Sequence, residues 1–238
     1  MLNGIKCIFF DLDGTLLGVS DEDFFSIYSK RASKYFINKI PQERFLHALI
    51  EGTKYMMTHS DPESFVFESF FKKFKELTEI DEQEAIKSFE EFYLNDFKYL
   101  KSSCVSNPIV KSIITMAKQK NMRLVLATNP VFPKIATDYR LEWAGLSFDD
   151  FEFVSTAENF NYCKPNPSYY NELLSRTSIS PDEVLMVGND YLYDMSASKV
   201  GIKTWLVDEY EGNKEYEGKF HIDYRGSLDE LHSELLKL

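Results

Sequence analysis

The chain has 238 residues, of which 44 % are hydrophobic and 27 % charged, with a formal net charge of −11; it is long enough to bury a core and to hold one domain or two. The acidic balance opposes nucleic acid and anionic lipid as partners, because those surfaces attract basic patches, and no apolar run approaches the roughly 20 residues a membrane span needs. Cys7, Cys104 and Cys163 are odd in number, far apart and without metal-ligand spacing, so neither a disulfide framework nor a zinc site is indicated and they read most simply as reduced thiols.

The first element is an apolar run, Cys7 to Phe10, that opens into Asp11-Leu12-Asp13-Gly14-Thr15. It reads as a buried strand leading into an acidic loop. Residues two apart in a strand point the same way, so Asp11 and Asp13 share one face if the extended form persists past Phe10, and Gly14 lets the chain turn away without a Cβ penalty. Two carboxylates held together repel unless a proton, a cation or hydrogen bonds intervene; a hard divalent ion such as Mg²⁺ is the obvious compensator. A surface turn after an edge strand is the plainer reading of the same residues. The N-terminal run is too short and too soon interrupted by acids for a signal peptide, so the expected location is the cytoplasm.

From Gly18 to Ser106 no buried strand is expected, and four helix-like stretches follow at roughly 21–38, 42–59, 62–77 and 82–101. Pro41 and Pro62 suit first helical positions, with Asp61 as a cap before the second. This all-helical insertion carries over half of the chain's phenylalanines, among them Phe24, Phe36, Phe45, Phe67, Phe70, Phe74 and Phe89. They read as the core of a small bundle, with a lining of a substrate cleft as the alternative. Gly18 and the Ser102–Ser106 region are the expected hinges, since small residues absorb backbone rotation.

Beyond Asn107-Pro108, strands alternate with helices. A capped helix runs to about Lys120, then come a strand at 123–128, a helix from Pro133 to Ala144, a strand at 151–154, and a helix from Pro167 to about Thr177. Strands at 184–187 and 204–207 flank a short helix near 195–200, a further strand is expected at 220–224, and Ser227 caps a last helix with the stripe Leu228, Leu231, Leu235 and Leu238. Such alternation implies a parallel sheet covered on both faces. The expected architecture is therefore α/β: a Rossmann-like parallel sheet core, residues 1–17 and 106–238, with an inserted all-α helical cap, residues 18–105.

Three polar clusters follow strands, where ligands of open parallel sheets bind. Thr128 and Asn129 supply a hydroxyl and an amide to a phosphoryl oxygen, or simply form a turn with Pro130. Lys164, in Cys163-Lys164-Pro165-Asn166-Pro167, stands just before a helix start rigidified by two prolines, where it can neutralise a carboxylate and a phosphate, or lies in an ordinary loop. Its neighbour Cys163 is a reactive thiol or, more simply, a filler. Asp190 and Asp194, four apart after Gly188-Asn189, face one site if the loop runs into a helix; helix capping by Asp190 is the alternative.

The Asp11-Leu12-Asp13-Gly14-Thr15 motif resembles the first signature of the haloacid dehalogenase superfamily, whose members are mostly Mg²⁺-dependent phosphohydrolases. Thr128 resembles the second motif. Lys164-Pro165-Asn166-Pro167 resembles the third, in the subfamily whose cap is inserted after the first strand. Gly188-Asn189-Asp190 with Asp194 resembles the fourth. One departure stands out: Asn189 occupies a place where many relatives have Asp, so either the register is as drawn or the metal shell has one charge fewer. The resemblance covers the core and is only architectural in the cap.

What the resemblance implies is a Mg²⁺-dependent phosphatase of a small phosphorylated metabolite. Asp11 would be the nucleophile, forming an aspartyl-phosphate, Asp13 the acid and base, and Lys164 the partner of nucleophile and phosphate. Thr128 and Asn129 would hold the phosphate, Asp11, Asp13 (through its backbone carbonyl) and Asp190 the Mg²⁺, and Asp194 would be a supporting acid. A sugar phosphomutase would use the same residues, and a non-catalytic metabolite-binding module is the rival from another class. A dehalogenase needs no acid for its leaving group and lacks a counterpart of Asp13. The cap is expected to close over the core and to exclude phosphoproteins and nucleic acids, unless it serves dimerisation; the chain is expected to be a monomer or homodimer.

Overall fold

Cys7–Phe10 is buried along its whole length, as a strand must be when it lies in the middle of a sheet covered on both sides. The computed structural model describes residues 2–59 and 61–238. In chain order, β1 (Cys7–Phe10) leads to β2 (Leu17–Val19), then to α1 (Asp21–Ala32), α2 (Gln42–Thr58), α3 (Val66–Thr78) and α4 (Glu82–Asn95), and back through β3 (Cys104–Ser106). The alternating part follows: α5 (Ile109–Gln119), β4 (Arg123–Leu126), α6 (Lys134–Trp143), β5 (Phe153–Val154), α7 (Pro167–Thr177), β6 (Val184–Gly188), β7 (Lys203–Val207), β8 (Tyr224–Gly226) and α8 (Leu228–Leu236).

Six strands form one parallel sheet in the order β5-β4-β1-β6-β7-β8. Phe10 lies opposite Leu126 on one side and Val187 on the other, so the carboxyl ends of β1, β4 and β6 finish level with one another. Ligand-binding groups of such sheets gather there. Alternation along β1 splits its side chains: Ile8 and Phe10 join the cluster formed with α5, α6 and α8, while Cys7 and Phe9 join the one beneath α7. Each fully buried aromatic or aliphatic side chain here contributes about 1.5–3 kcal/mol.

The α/β class and parallel sheet expected from the sequence are thus present, with differences at the edges. The strands at 123–128 and 151–154 are shorter, Arg123–Leu126 and Phe153–Val154. The last strand is Tyr224–Gly226 rather than 220–224, because Trp205 of β7 pairs with Tyr224. Ser227 does cap α8 through Glu230 N–H, but Leu238 lies beyond the helix and is exposed, unlike Leu228, Leu231 and Leu235.

Between β2 and β3 the described residues are helical or irregular. The expected helix at 62–77 begins at Val66 instead, since the Asp61 carboxylate accepts bonds from Glu63 N–H and Ser64 Oγ in a tight turn rather than capping a helix at Pro62. The first N–H groups of α3, which have no partner within their own helix, donate to core carbonyls, Val66 to Phe160 (2.8 Å) and Phe67 to Ala157 (3.0 Å). Phe36, Phe45, Phe74 and Phe89 form an aromatic core for the insertion, with ring centroids 4.9–6.1 Å apart, each pair adding about 0.5–1.5 kcal/mol. The hinge candidates are not loose loops: Gly18 lies opposite Val105 in the antiparallel ribbon of β2 and β3. That ribbon is too short to show as a period in the sequence. No helix among the described residues is long and apolar enough to cross a membrane.

Candidate active site

Asp11 directly follows β1, and its N–H donates to the Val187 carbonyl (2.9 Å), so the sheet holds its backbone. Its carboxylate is buried and accepts a bond from Lys164 Nζ at 2.8 Å; the same ammonium reaches Asp194 Oδ1 at 2.6 Å. Lys164 is completely buried. It is placed by the start of α7, where Asn166 caps Ser168 N–H and Pro167 takes the first turn, and by its own N–H, which donates to Asn129 Oδ1 (3.1 Å). The carbonyl of Thr128 accepts from Tyr169 Oη (2.8 Å) and Ser155 Oγ (2.7 Å), which fixes the end of β4 against α7. Segments distant in sequence therefore meet at one point above β1.

The electrostatics follow from one cation serving several acids. Burial by itself pulls the Lys164 ammonium down, but Asp11 and then Asp194 outweigh it and hold its pKa well above the ordinary value. Burial, and then the charge of Asp11, push the Asp194 carboxyl up to about 7, with Lys164 opposing. Burial likewise raises Asp190, with Asp11 adding to it and bonds from Tyr193 N–H and Asn213 working against it.

Asp13 is paired with a different cation from Asp11. The strand ends at Phe10 and Leu12 sits in a turn closed by Leu17 N–H donating to the Leu12 carbonyl (2.9 Å), so the extended form that would align the two acids does not persist. Asp13 instead pairs with the guanidinium of Arg140 on α6. Arg140 is fully buried; it also donates to the Ala136 carbonyl (3.3 Å) and to Thr137 Oγ1 (3.2 Å). Its Cζ stands 4.4 Å from the ring centroid of Phe132. Sequence reasoning missed this residue. A signal existed: Arg140 falls on the buried stripe of α6 with Ala136, Thr137 and Trp143, and an arginine on an apolar face requires a partner.

In the fourth cluster each polar residue has its own task. Asn189 accepts from Thr15 Oγ1 (3.0 Å) and donates to the Tyr210 carbonyl (2.5 Å), tying the first motif to the loop after β7. Asp190 accepts from the N–H groups of Leu192 (2.8 Å) and Tyr193 (2.7 Å) and from Asn213 Nδ2 (2.7 Å). Asp194 Oδ2 accepts from Asp190 N–H (3.0 Å) while Oδ1 holds Lys164. Of the two acids it is Asp194 that touches the lysine. Asn213 and Tyr210 were also missed, and nothing in their local sequence marks them.

Among the described residues no three His, Cys, Asp or Glu side chains are grouped to hold a metal ion. Mg²⁺ needs fewer, being bound by one or two carboxylates with waters and substrate phosphates. Asp11, Asp190 and Asp194 carry three formal negative charges against the single positive charge of Lys164, and Asp11 raises the pKa of both other acids. That surplus fits a divalent cation.

An aspartate at the end of β1, a buried lysine before α7 and an acidic loop after β6 meet at one end of the sheet, and comparison with known proteins decides the family. A family model described as haloacid dehalogenase-like hydrolase matches residues 5–200. The chain belongs to that family. Within the haloacid dehalogenase-like hydrolases, it is 31 % identical over 91 residues to haloacid dehalogenase-like hydrolase domain-containing protein 3 of Danio rerio, 36 % of each chain. It is 22 % identical over 228 residues to pyrophosphatase PpaX of Anoxybacillus flavithermus (strain DSM 21510 / WK1), 94 % of this chain and 95 % of that protein. It is also 28 % identical over 102 residues to putative phosphatase YhcW of Bacillus subtilis (strain 168), so the chain spans less than half the length of that protein, 45 %, and of the Danio rerio protein, 36 %. Among solved structures, a HAD phosphatase from Thermococcus onnurineus superposes with a TM-score of 0.60 at 21 % identity, covering 97 % of this chain and 98 % of that one, a likeness of fold.

Proposed function

We propose that this hydrolase is a Mg²⁺-dependent phosphatase that cleaves phosphate monoesters of small metabolites through an aspartyl-phosphate on Asp11. The observation that carries the reading is the Lys164 ammonium held between Asp11 and Asp194 at 2.8 and 2.6 Å in a buried site. A cation there orients one oxygen of the Asp11 carboxylate and offers its charge to a phosphoryl oxygen. The relatives named as phosphatase and pyrophosphatase support the same class of reaction.

In the first step an Asp11 oxygen bonds to phosphorus and the bond from phosphorus to the ester oxygen breaks, with Asp13 giving its proton to the departing alcohol. In the second, water attacks phosphorus, Asp13 takes its proton, and the Asp11–phosphoryl bond breaks to release phosphate. Phosphoryl transfer depends mainly on positioning and charge neutralisation. The Thr128 hydroxyl and the Asn129 amide, just beyond β4, would orient the phosphoryl oxygens. Mg²⁺, held by Asp11, Asp190 and the Asp13 carbonyl, would supply further charge neutralisation. Asp194 would fix Lys164.

Residues 18–105 would act as a cap over this centre, limiting substrates to small molecules, and the setting would be the cytoplasm, with the chain a monomer or homodimer. The test is hydrolysis of a panel of phosphorylated metabolites with and without Mg²⁺. Release of inorganic phosphate only with Mg²⁺ supports the reading. Full activity in chelator defeats the metal assignment, and return of the phosphoryl group to a second position on a sugar would make the enzyme a mutase.

A further inference from the structure

Between the helical insertion and the core lies a cavity of about 370 Å³. Its insertion side is formed by residues such as Phe24, Phe67 and Phe70, and its core side by Val131, Phe132 and Pro133. Lys54 is the one charged residue in the lining among the described residues, and its ammonium is turned to Glu51 (2.7 Å). The volume falls in the range of small-molecule sites, about 300–1,000 Å³, and exceeds the roughly 150 Å³ that suffices for a benzene ring.

This is not a failure of the insertion to pack. Its own core of Phe36, Phe45, Phe74 and Phe89 is in close ring contact, whereas Phe24, Phe67 and Phe70 stay half-buried along the cavity. At its mouth Phe25 and Ile50 leave 47 % and 39 % of their surface in water, an apolar rim without a cover.

Asp11, Asp13, Thr128 and Lys164 are not among the lining residues; the link from the cavity to the site runs from the lining residue Phe132 through Arg140 to Asp13. Val131 follows Asn129 by two residues, and Val131 N–H donates to the Asn129 carbonyl (2.8 Å). The Phe132 ring closes against Phe24 and Tyr28 at 5.9 Å on the cavity side and carries the Arg140 guanidinium at 4.4 Å on the other, and Arg140 holds Asp13. The group that would protonate the leaving alcohol is therefore one side chain removed from the cavity wall.

We propose that this cavity receives the leaving group, and that the substrate is a phosphate monoester of an apolar, uncharged alcohol of aryl-alkyl size. The proposal rests on the phosphatase reading and narrows it. A leaving group with a carboxylate or a second phosphate would carry its charge into a largely aromatic wall whose one cation among the described residues, Lys54, is already paired with Glu51, which is costly. An aromatic group instead buries apolar surface at about 25 cal/mol per Å² and meets ring edges and faces.

The experiment compares kcat/KM for 2-phenylethyl phosphate, glycerol phosphate and pyrophosphate in the presence of Mg²⁺; the two esters are alkyl phosphates, so the phenyl group is the main difference between them. The expected result is a preference of at least about tenfold for the phenylethyl ester. That preference should shrink in Ile50→Glu and in Phe25→Glu, two substitutions on different helices at exposed positions. Hydrolysis of pyrophosphate or glycerol phosphate as fast as the phenylethyl ester, or an unchanged preference in both variants, overturns the leaving-group pocket while leaving the phosphatase reading intact. Absence of hydrolysis of all three, and of the metabolite panel, overturns both.

Discussion

Arg140 and Asp13, 127 residues apart in sequence, form an ion pair in which the arginine is fully buried and the aspartate side chain is about one-third exposed. The guanidinium is fixed by Ala136 and Thr137 of its own helix, so it sets the position of Asp13 rather than following it. Arg140→Met keeps the volume but removes the charge from Asp13. We expect a loss of about 1–3 kcal/mol in urea denaturation, below the range for fully buried pairs because water reaches Asp13. If Asp13 is the general acid, kcat/KM should fall much more for alkyl esters, whose leaving group needs the proton, than for an activated aryl ester. Equal loss on both would limit Arg140 to stability.

Asp190 and Asp194 are separable by experiment. Asp190→Ala removes a proposed Mg²⁺ ligand, and the metal concentration for half-maximal activity should rise by at least about tenfold. Asp194→Ala removes the contact that fixes Lys164, and should lower kcat with a smaller change in the metal requirement. A Mg²⁺ titration of both variants checks this; the reverse order would exchange their roles.

Gly14 adopts a φ of +82°, and a Cβ added there would lie 2.3 Å from Asn189 Nδ2. Gly14→Ala should therefore cost about 1–3 kcal/mol from the backbone conformation alone, and should push Asn189 off Thr15. Thermal denaturation gives the first effect. A variant as stable as the wild type would mean that the loop relaxes without strain.

The thiols respond to pH in a defined direction. Burial pushes Cys7 and Cys163 up to about 12, and burial, partly opposed by Ser103, pushes Cys104 up to about 11, from an ordinary 9.0. The unfolded chain loses these protons first as pH rises. The stability they contribute is full below about pH 9 and declines between about pH 9 and 12. At pH 8 a disulfide reagent should modify half-buried Cys104 first and reach Cys7 and Cys163 only on unfolding. Rapid modification of all three in the native protein would contradict this, and would restore Cys163 as a reactive thiol rather than a filler.

The sheet was legible in the sequence because each central strand is a continuous apolar run ending in polar residues, and that is what a strand buried on both faces requires. Asp11 and Lys164 were legible for the same reason, as polar residues at a strand end and a helix start. Arg140 was not, because its meaning lies in a partner 127 positions away. The partners of Asp190 and Asn189, Asn213 and Tyr210, belong to a loop whose composition is ordinary. The expected alignment of Asp11 with Asp13 was conditional on an extended chain past Phe10, and the turn at Leu12 replaces that extended chain.

The account centres on Asp11 as the atom donor to phosphorus, and the most direct measurement is to quench wild-type enzyme with acid during turnover of a phosphate monoester and locate any phosphoryl group by peptide mass spectrometry. The account predicts phosphate on the peptide containing Asp11, absent in Asp11→Asn, which should also lose turnover while keeping its fold. Turnover by Asp11→Asn at the wild-type rate, or a phosphoryl group on another residue, would contradict it.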